Sequence, residues 1–233
     1  MSHPMMCFRR YRETWLQQLN VLLQELSSTP KPKTGEDQIN LRQLVERVMT
    51  HYEDYYRVKA HTTSLDAFSM FSAPSWLTCL ERSFHWIAGW RPIIAFLLIF
   101  IESSYRLKAD LGDFLRGHRT GDLADLSPSQ LEEMTNLHSE TVNEEDEINK
   151  ELLEWQDAGM CDVMLSINAD VDGKLQRLEE VLEKADNLRL KTLRRLVDLL
   201  TPQQAIEFLT ATAEMVLGIR EWGLEKNLTR GEV

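Results

Sequence analysis

The chain has 233 residues, 43% of them hydrophobic, and a formal net charge of −11. That length holds one large domain or at most two small ones, and that apolar fraction excludes a wholly disordered chain. The acidic balance speaks against autonomous binding to DNA or anionic lipid, because the densest basic group, Arg9, Arg10 and Arg12, is followed at once by Glu13.

Phe8, Tyr11, Trp15, Leu19, Leu22, Leu23 and Leu26 recur at intervals of three and four, which predicts an amphipathic helix from about Phe8 to Ser27. Ser27–Asp37, with two prolines, a glycine and small polar residues, reads as a linker. A second helix is predicted from near Gln38, buried through Leu41, Leu44, Val45, Val48, Tyr52, Tyr55 and Tyr56, and ending near Ser72 because Pro74 disfavours helix before it. A third is predicted over Ser75–Ala88, stopped by Gly89. Pro92 then suits the first turn of a fourth helix that carries the apolar run Ile93–Ile101. Nine apolar residues fall well short of the roughly 20 that cross a bilayer, so this run reads as a buried core helix.

A helical piece over Arg106–Leu115 and a loop follow. Ser127-Pro128-Ser129-Gln130 and Thr201-Pro202-Gln203-Gln204 share one chemistry: a hydroxyl N-cap, proline at the first helical position and glutamine at the third. The first opens a helix to about Asp157 and the second a helix to about Trp222. Between them, leucines from Leu175 to Leu200 mark another long amphipathic helix. With no strand alternation, the prediction is an all-α protein: one bundle of about six to eight helices, several of them long. Its domain spans about residues 8–226, with a linker at 27–37, an internal loop at 116–126 and a flexible tail at 227–233.

Reactive constellations are absent. Cys7, Cys79 and Cys161 are far apart, odd in number and form no CxxC pair, which argues for a reducing compartment without a disulfide or zinc framework. No secretory signal is expected. Glu140, Glu144, Glu145, Asp146, Glu147 and Glu151 share one helix, but there is no Glu-x-x-His, so a solvated face is expected and no metal site. His51, His61, His85, His118 and His138 are separated, and Glu81 with His85 makes only two ligands where zinc takes three or four. There is no phosphate-binding glycine loop and no legible nucleophile–base order, so no enzyme activity is expected.

The aromatic segment is the densest signal. Tyr52, Tyr55, Tyr56, Trp76, Trp86 and Trp90 lie among Arg57, Lys59, Arg82 and Arg91. Core packing explains most such rings. The sharper reading makes Tyr55, Tyr56, Lys59, Trp86, Trp90 and Arg91 a groove for an apolar ligand with a carboxylate head. On the first helix, Tyr11, Trp15 and Leu19 form an aromatic face on a tethered helix, a candidate partner-binding surface.

Six segments, in order, resemble the plant Delay of Germination domain. They are HYEDYYRVKA from His51, FSAPSWLTCLERSFHWIAGWRP from Phe71, DLSPSQL from Asp125, EEDEI from Glu144, KADNLRLKTLRRLVDLLTPQQAIEFLTA from Lys184 and REWG from Arg220. A similar domain forms the C-terminal half of TGA-type bZIP transcription factors. The likeness covers about Phe8 to Gly223. It implies an all-helical fold and a regulatory role through protein contacts: seed dormancy and abscisic-acid signalling, with type 2C protein phosphatases or a bZIP-type factor as partners. The Inaperturate Pollen branch instead implies pollen aperture formation at membrane domains. TGA-type members imply that the domain can hold a fatty acyl chain.

The expected location is nucleus and cytoplasm, with peripheral plasma-membrane association for the pollen type. No basic region or zipper precedes the first helix, so direct nucleic-acid binding is not expected. Some dormancy members carry paired histidines linked to haem; Val216 and Arg220 stand there in this chain, so no cofactor is expected at that place. The phosphatase-contacting stretch of the dormancy type corresponds to Tyr11–Leu16.

Overall fold

The computed structural model describes residues 2–72, 74–109, 112, 116, 120–165 and 171–230, the side chains of 159–165 and 230 excepted. Among these lie eight α-helices: α1 (His3–Ser28), α2 (Gly35–Leu65), α3 (Ala67–Phe71), α4 (Cys79–Ser83), α5 (Ile93–Ala109), α6 (Pro128–Leu165), α7 (Val171–Leu199) and α8 (Pro202–Arg230), with a 3-10 turn at Leu123–Asp125. The described residues form no strand, and the fold is an all-α bundle. The predicted piece beyond Ala109, and His118, fall outside the described residues or on isolated positions within them.

Local chemistry sets the boundaries. The hydroxyl of Thr34 accepts from the Asp37 N–H at 3.1 Å while Asp37 accepts from the Thr34 N–H at 2.8 Å, so this reciprocal box starts α2 at Gly35, earlier than the apolar periodicity suggests. Asp66 (φ −158°, ψ 69°) leaves the helical region and caps α3 through Ser69, which ends α2 at Leu65 and not near Ser72. The predicted helix over Ser75–Ala88 is corrected to the five-residue α4. A second box, Thr78 with Glu81, opens it, and a tight turn at Trp86–Gly89 closes the segment. At the other end of the chain, α8 continues past Trp222 to Arg230.

The two glutamine boxes meet in space. Gln130 and Gln204 each cap their own N-terminus: Gln130 accepts from the Ser127 N–H at 2.9 Å and Gln204 from the Thr201 N–H at 3.0 Å. The Gln130 amide then donates to Gln204 Oε1 at 2.8 Å and to the Leu199 carbonyl at 2.9 Å, while Gln204 donates to the Asp122 carbonyl at 3.1 Å. One neutral knot thus fixes the starts of α6 and α8 and the end of α7.

The core forms two clusters. The larger packs Trp15, Leu19, Val48, Met49, Phe96, Ile99, Leu193, Leu196, Phe208 and Leu209 from α1, α2, α5, α7 and α8. The smaller joins Met5, Phe8, Met70, Ile87, Leu178 and Leu182. Tyr11 and Tyr55 pack against both. The apolar run of α5 is only half a core element. Ala95, Phe96 and Ile99 are buried, but Leu97, Phe100 and Ile101 are exposed, because α5 packs with one side on α6, α8 and the 3-10 turn and no described element covers the other. No described helix is long and apolar enough to cross a membrane.

Candidate functional site: an aromatic cavity beside a buried charge cluster

A cavity of about 150 Å³ lies where α1, α2, the segment from Pro74 to Trp90 and α8 converge. Aromatic rings make much of its wall: Phe8 and Trp15 from α1, Tyr52, Tyr55 and Tyr56 from α2, and Trp76, Phe84 and Trp90 from the connecting segment. They reach one space because Tyr52, Tyr55 and Tyr56 share a face of α2 and α1 crosses that face. The Trp15 ring centroid lies 4.6 Å from that of Tyr55, and the ring stacks on His51 at 4.9 Å, nearly parallel to it. Two indole N–H groups of the wall are satisfied, Trp15 by the His51 carbonyl at 2.9 Å and Trp90 by the Tyr56 hydroxyl at 2.8 Å.

The floor is a turn held by charge. Trp86 and Gly89 exchange backbone hydrogen bonds at 2.6 and 3.0 Å, and between them Ile87 (φ 43°) and Ala88 (φ 58°) both occupy the left-handed region. This is the geometry of a type I′ turn, normally built from Asn-Gly. A β-branched residue with positive φ costs about 1–3 kcal/mol. What offsets that cost comes from two buried cations. Arg189, fully buried, donates to the Trp86 carbonyl, to that of Ile87 at 2.9 Å and to that of Trp90 at 2.6 Å. Lys59, 2% exposed, donates to the Ala88 carbonyl at 2.6 Å. Asp186 receives both cations, Lys59 at 2.8 Å and Arg189 at 2.5 Å.

Glycine at position 89 has a steric reason and not a conformational one. A Cβ there would sit 2.7 Å from Arg189 Cζ. The positive φ angles expected of the glycine fall instead on the two residues before it.

A second ionic group closes the opposite wall. Glu81 pairs with Arg12, accepts from the Thr78 N–H at 2.7 Å and lies 3.5 Å from Arg220, which also pairs with Glu13 at 2.5 Å. Burial works to raise the Glu81 carboxyl, yet Arg12 and the Thr78 N–H hold it below its ordinary value. Burial first, and the attraction of Asp186 against it, leaves Lys59 lowered to about 8. His85 is lowered to about 4 by burial and then by the charges of Lys59 and Arg189, so it lines the cavity as a neutral ring at pH 7.

Of the six proposed groove residues, Tyr55, Tyr56, Lys59 and Trp90 line this cavity. Trp86 and Arg91 face elsewhere: the Trp86 indole donates to Asn149 at 2.9 Å, and Arg91 pairs with Glu145 at 2.6 Å. Glu145 is the exception on an otherwise solvated acidic face, where Glu140, Asp146 and Glu147 are exposed. It is fully buried, because it also accepts from the Ile93 N–H at 2.9 Å and so caps the start of α5. On α1, Trp15 and Leu19 are core residues at 5% and 0% exposure and Tyr11 is half-buried, so with α1 docked a partner reaches at most the edge of Tyr11. Val216 lines the cavity and Arg220 is engaged by Glu13 and Glu81.

Sequence reasoning missed Arg12, Glu81, Asp186 and Arg189 as parts of the site. One signal existed: Arg189 stands in helical phase with Ala185, Leu193 and Leu196, a charge inside an apolar stripe.

The arrangement can enclose an apolar body and neutralise an anion. Among the described residues no group of three or more His, Cys, Asp or Glu side chains could hold a metal ion. The fold and cavity describe an all-helical bundle with a small aromatic-lined cavity. Comparison with known proteins places it further. A family model described as "Seed dormancy control" (DOG1) matches residues 18–100. The chain is 34% identical over 200 residues to Protein DOG1-like 2 of Arabidopsis thaliana, covering 78% of this chain and 77% of that protein. It is 29% identical to Protein DOG1-like 4 of the same plant, over 93% of this chain and 91% of the relative. Transcription factor TGA2 of Arabidopsis thaliana is 28% identical over 88% of this chain, which spans 60% of TGA2. The chain belongs to the DOG1 family. These relatives point to a plant regulatory role, and none of them is named as an enzyme.

Proposed function

We propose that the chain is a non-enzymatic plant regulatory protein that acts by binding other proteins in the dormancy and abscisic-acid setting, with a type 2C protein phosphatase as partner. The observation carrying this reading is the likeness to DOG1-like proteins over nearly the whole of both chains. The site adds weight, since it offers apolar walls and paired charges and shows no acid, base and nucleophile set among the described residues. Nucleus and cytoplasm are the matching location, and haem is not part of the proposal. The test is calorimetric titration of the purified chain with a type 2C phosphatase. Saturable binding is expected, and its absence removes that partner in favour of a bZIP-type factor.

The cavity supports a second reading, in which an apolar ligand seated among Tyr55, Tyr56 and Trp90 sets the bundle's binding state. Native mass spectrometry of the chain purified from plant tissue tests it. A discrete extra mass released by organic solvent is expected, and a bare chain argues against it.

A further inference from the structure

If the cavity holds an apolar ligand, the second of the two readings and the one on which this proposal rests, the chemistry of its wall narrows what that ligand is. Two polar atoms of residues that line the cavity make no hydrogen bond of normal geometry and are closed to water: Arg12 Nη1, on a guanidinium that also interacts with the Tyr55 hydroxyl, and the Tyr52 hydroxyl. Their residues are 9% and 3% exposed. Both are donors. A guanidinium presents five N–H groups, and Glu81 takes only the Nη2 side of Arg12. Buried donors left unmatched are costly, and cavities that contain them are where a complementary acceptor belongs.

Charge points the same way. Arg12 and Arg220 are balanced by Glu81 and Glu13. Lys59 and Arg189 share one carboxylate, Asp186, so the buried cluster under the cavity carries one positive charge in excess. His85, depressed first by burial, is lowered further by the charges of Lys59 and Arg189. Size sets the third constraint. About 150 Å³ lies below the roughly 300–1,000 Å³ of pockets for drug-sized ligands, whereas an apolar cavity near 150 Å³ accommodates a single benzene ring.

We infer that the cavity takes a compact aromatic monocarboxylate, its ring among Trp15, Tyr55 and Trp90 and its carboxylate received by Arg12 and the Tyr52 hydroxyl. A carboxylate matches a guanidinium edge through paired N–H···O bonds, and it cancels the excess charge. The neighbouring rings supply faces and edges for offset or edge-on stacking.

The experiment titrates the full chain with benzoate, benzyl alcohol and hexadecanoate as probes, read by ligand-observed NMR and calorimetry. Saturable benzoate binding with little or none for benzyl alcohol is expected. Arg12→Met should weaken benzoate at least tenfold; Glu81 keeps Arg220 as its partner in that variant. Tyr52→Phe should weaken it severalfold without lowering the melting temperature, because that hydroxyl makes no hydrogen bond to lose. No saturable benzoate binding, equal binding of benzyl alcohol, or undiminished binding by folded Arg12→Met would each overturn the inference. Hexadecanoate binding in place of benzoate would overturn it while leaving the apolar-ligand reading intact. Silence from all three probes counts against both, and the phosphatase titration stands apart from either result.

Discussion

Two of the polar knots among the described residues are built from opposite materials. At one end, Gln130 and Gln204 interlock through neutral amides, each satisfying its own helix start before reaching the other. Elsewhere, Arg189 and Lys59, both paired with Asp186, hold the carbonyls of Trp86, Ile87, Ala88 and Trp90 with buried charge. Neutral hydrogen bonds cost little to bury and contribute modestly, about 0.5–1.5 kcal/mol each. Buried charges are expensive to desolvate and become costly when one partner is removed. The amide knot is therefore tolerant, and the charged knot is all-or-none. The cavity sits beside the charged one, where an excess positive charge is available to a ligand.

Removing the shared anion breaks this contrast most sharply. Asp186→Asn leaves Lys59 and Arg189 buried with no carboxylate between them. A loss of about 3–5 kcal/mol is expected, the range for breaking a buried ion pair from one side. Urea unfolding measures it, and a loss below about 1 kcal/mol would mean that the carbonyls alone sustain the cations.

The pH dependence sharpens it next. Lys59 titrates near 8 in the folded chain and near 10.5 when unfolded. Between these values the unfolded state holds more protons, so this group makes stability rise with pH, and its penalty is full below 8. Above about 10 the buried tyrosines act oppositely, since burial raises Tyr55 and Tyr56 in the fold and unfolding lets them ionise. The contribution of Lys59 is a gain on the order of 2 kcal/mol between pH 8 and 10. Urea midpoints across that window should rise, and in Lys59→Met the rise should vanish.

Gly89→Ala tests how firmly the charged knot is pinned. The new Cβ meets Arg189 at 2.7 Å, and Arg189 is fixed by hydrogen bonds to Asp186 and three carbonyls. A cost of about 1–3 kcal/mol is expected from such overpacking, read as a lower melting temperature. An unchanged melt would show that the guanidinium has room to retreat.

The two knots also differ in how far the sequence reveals them. Ser-Pro-Ser-Gln and Thr-Pro-Gln-Gln are local patterns, because a capping box is made by residues three apart. They placed the starts of α6 and α8 correctly. The meeting of Gln130 with Gln204 was not legible, since it depends on the packing of two distant helix ends. The Trp86–Gly89 turn was misread as helix: Ile and Ala carry no turn signal, and what stabilises their positive φ lies about a hundred residues away in Arg189. Aromatic spacing on α2 brought Tyr55, Tyr56 and Lys59 into view as cavity residues. Arg12 escaped notice because it reads as part of an exposed basic run, whereas α1 turns it inward.

The smallest expected effect concerns the amide knot, and a double-mutant cycle isolates it. Gln204 is 2% exposed, and replacing it by Ala leaves the Thr201 N–H and the Asp122 carbonyl without their side-chain partner. About 1–2 kcal/mol is expected for that cap. Gln130→Ala should cost slightly less, since Gln130 is only half-buried and water can reach its place. Each single change also removes the 2.8 Å bond between the two amides, so their separate costs count that bond twice. The double variant should therefore lose less than the sum, by about 0.5–1 kcal/mol, the lower end of the coupling between residues sharing a hydrogen bond. Strict additivity would mean that each cap acts alone and that their contact adds nothing. Coupling of several kcal/mol would erase the distinction between a tolerant neutral knot and an all-or-none charged one.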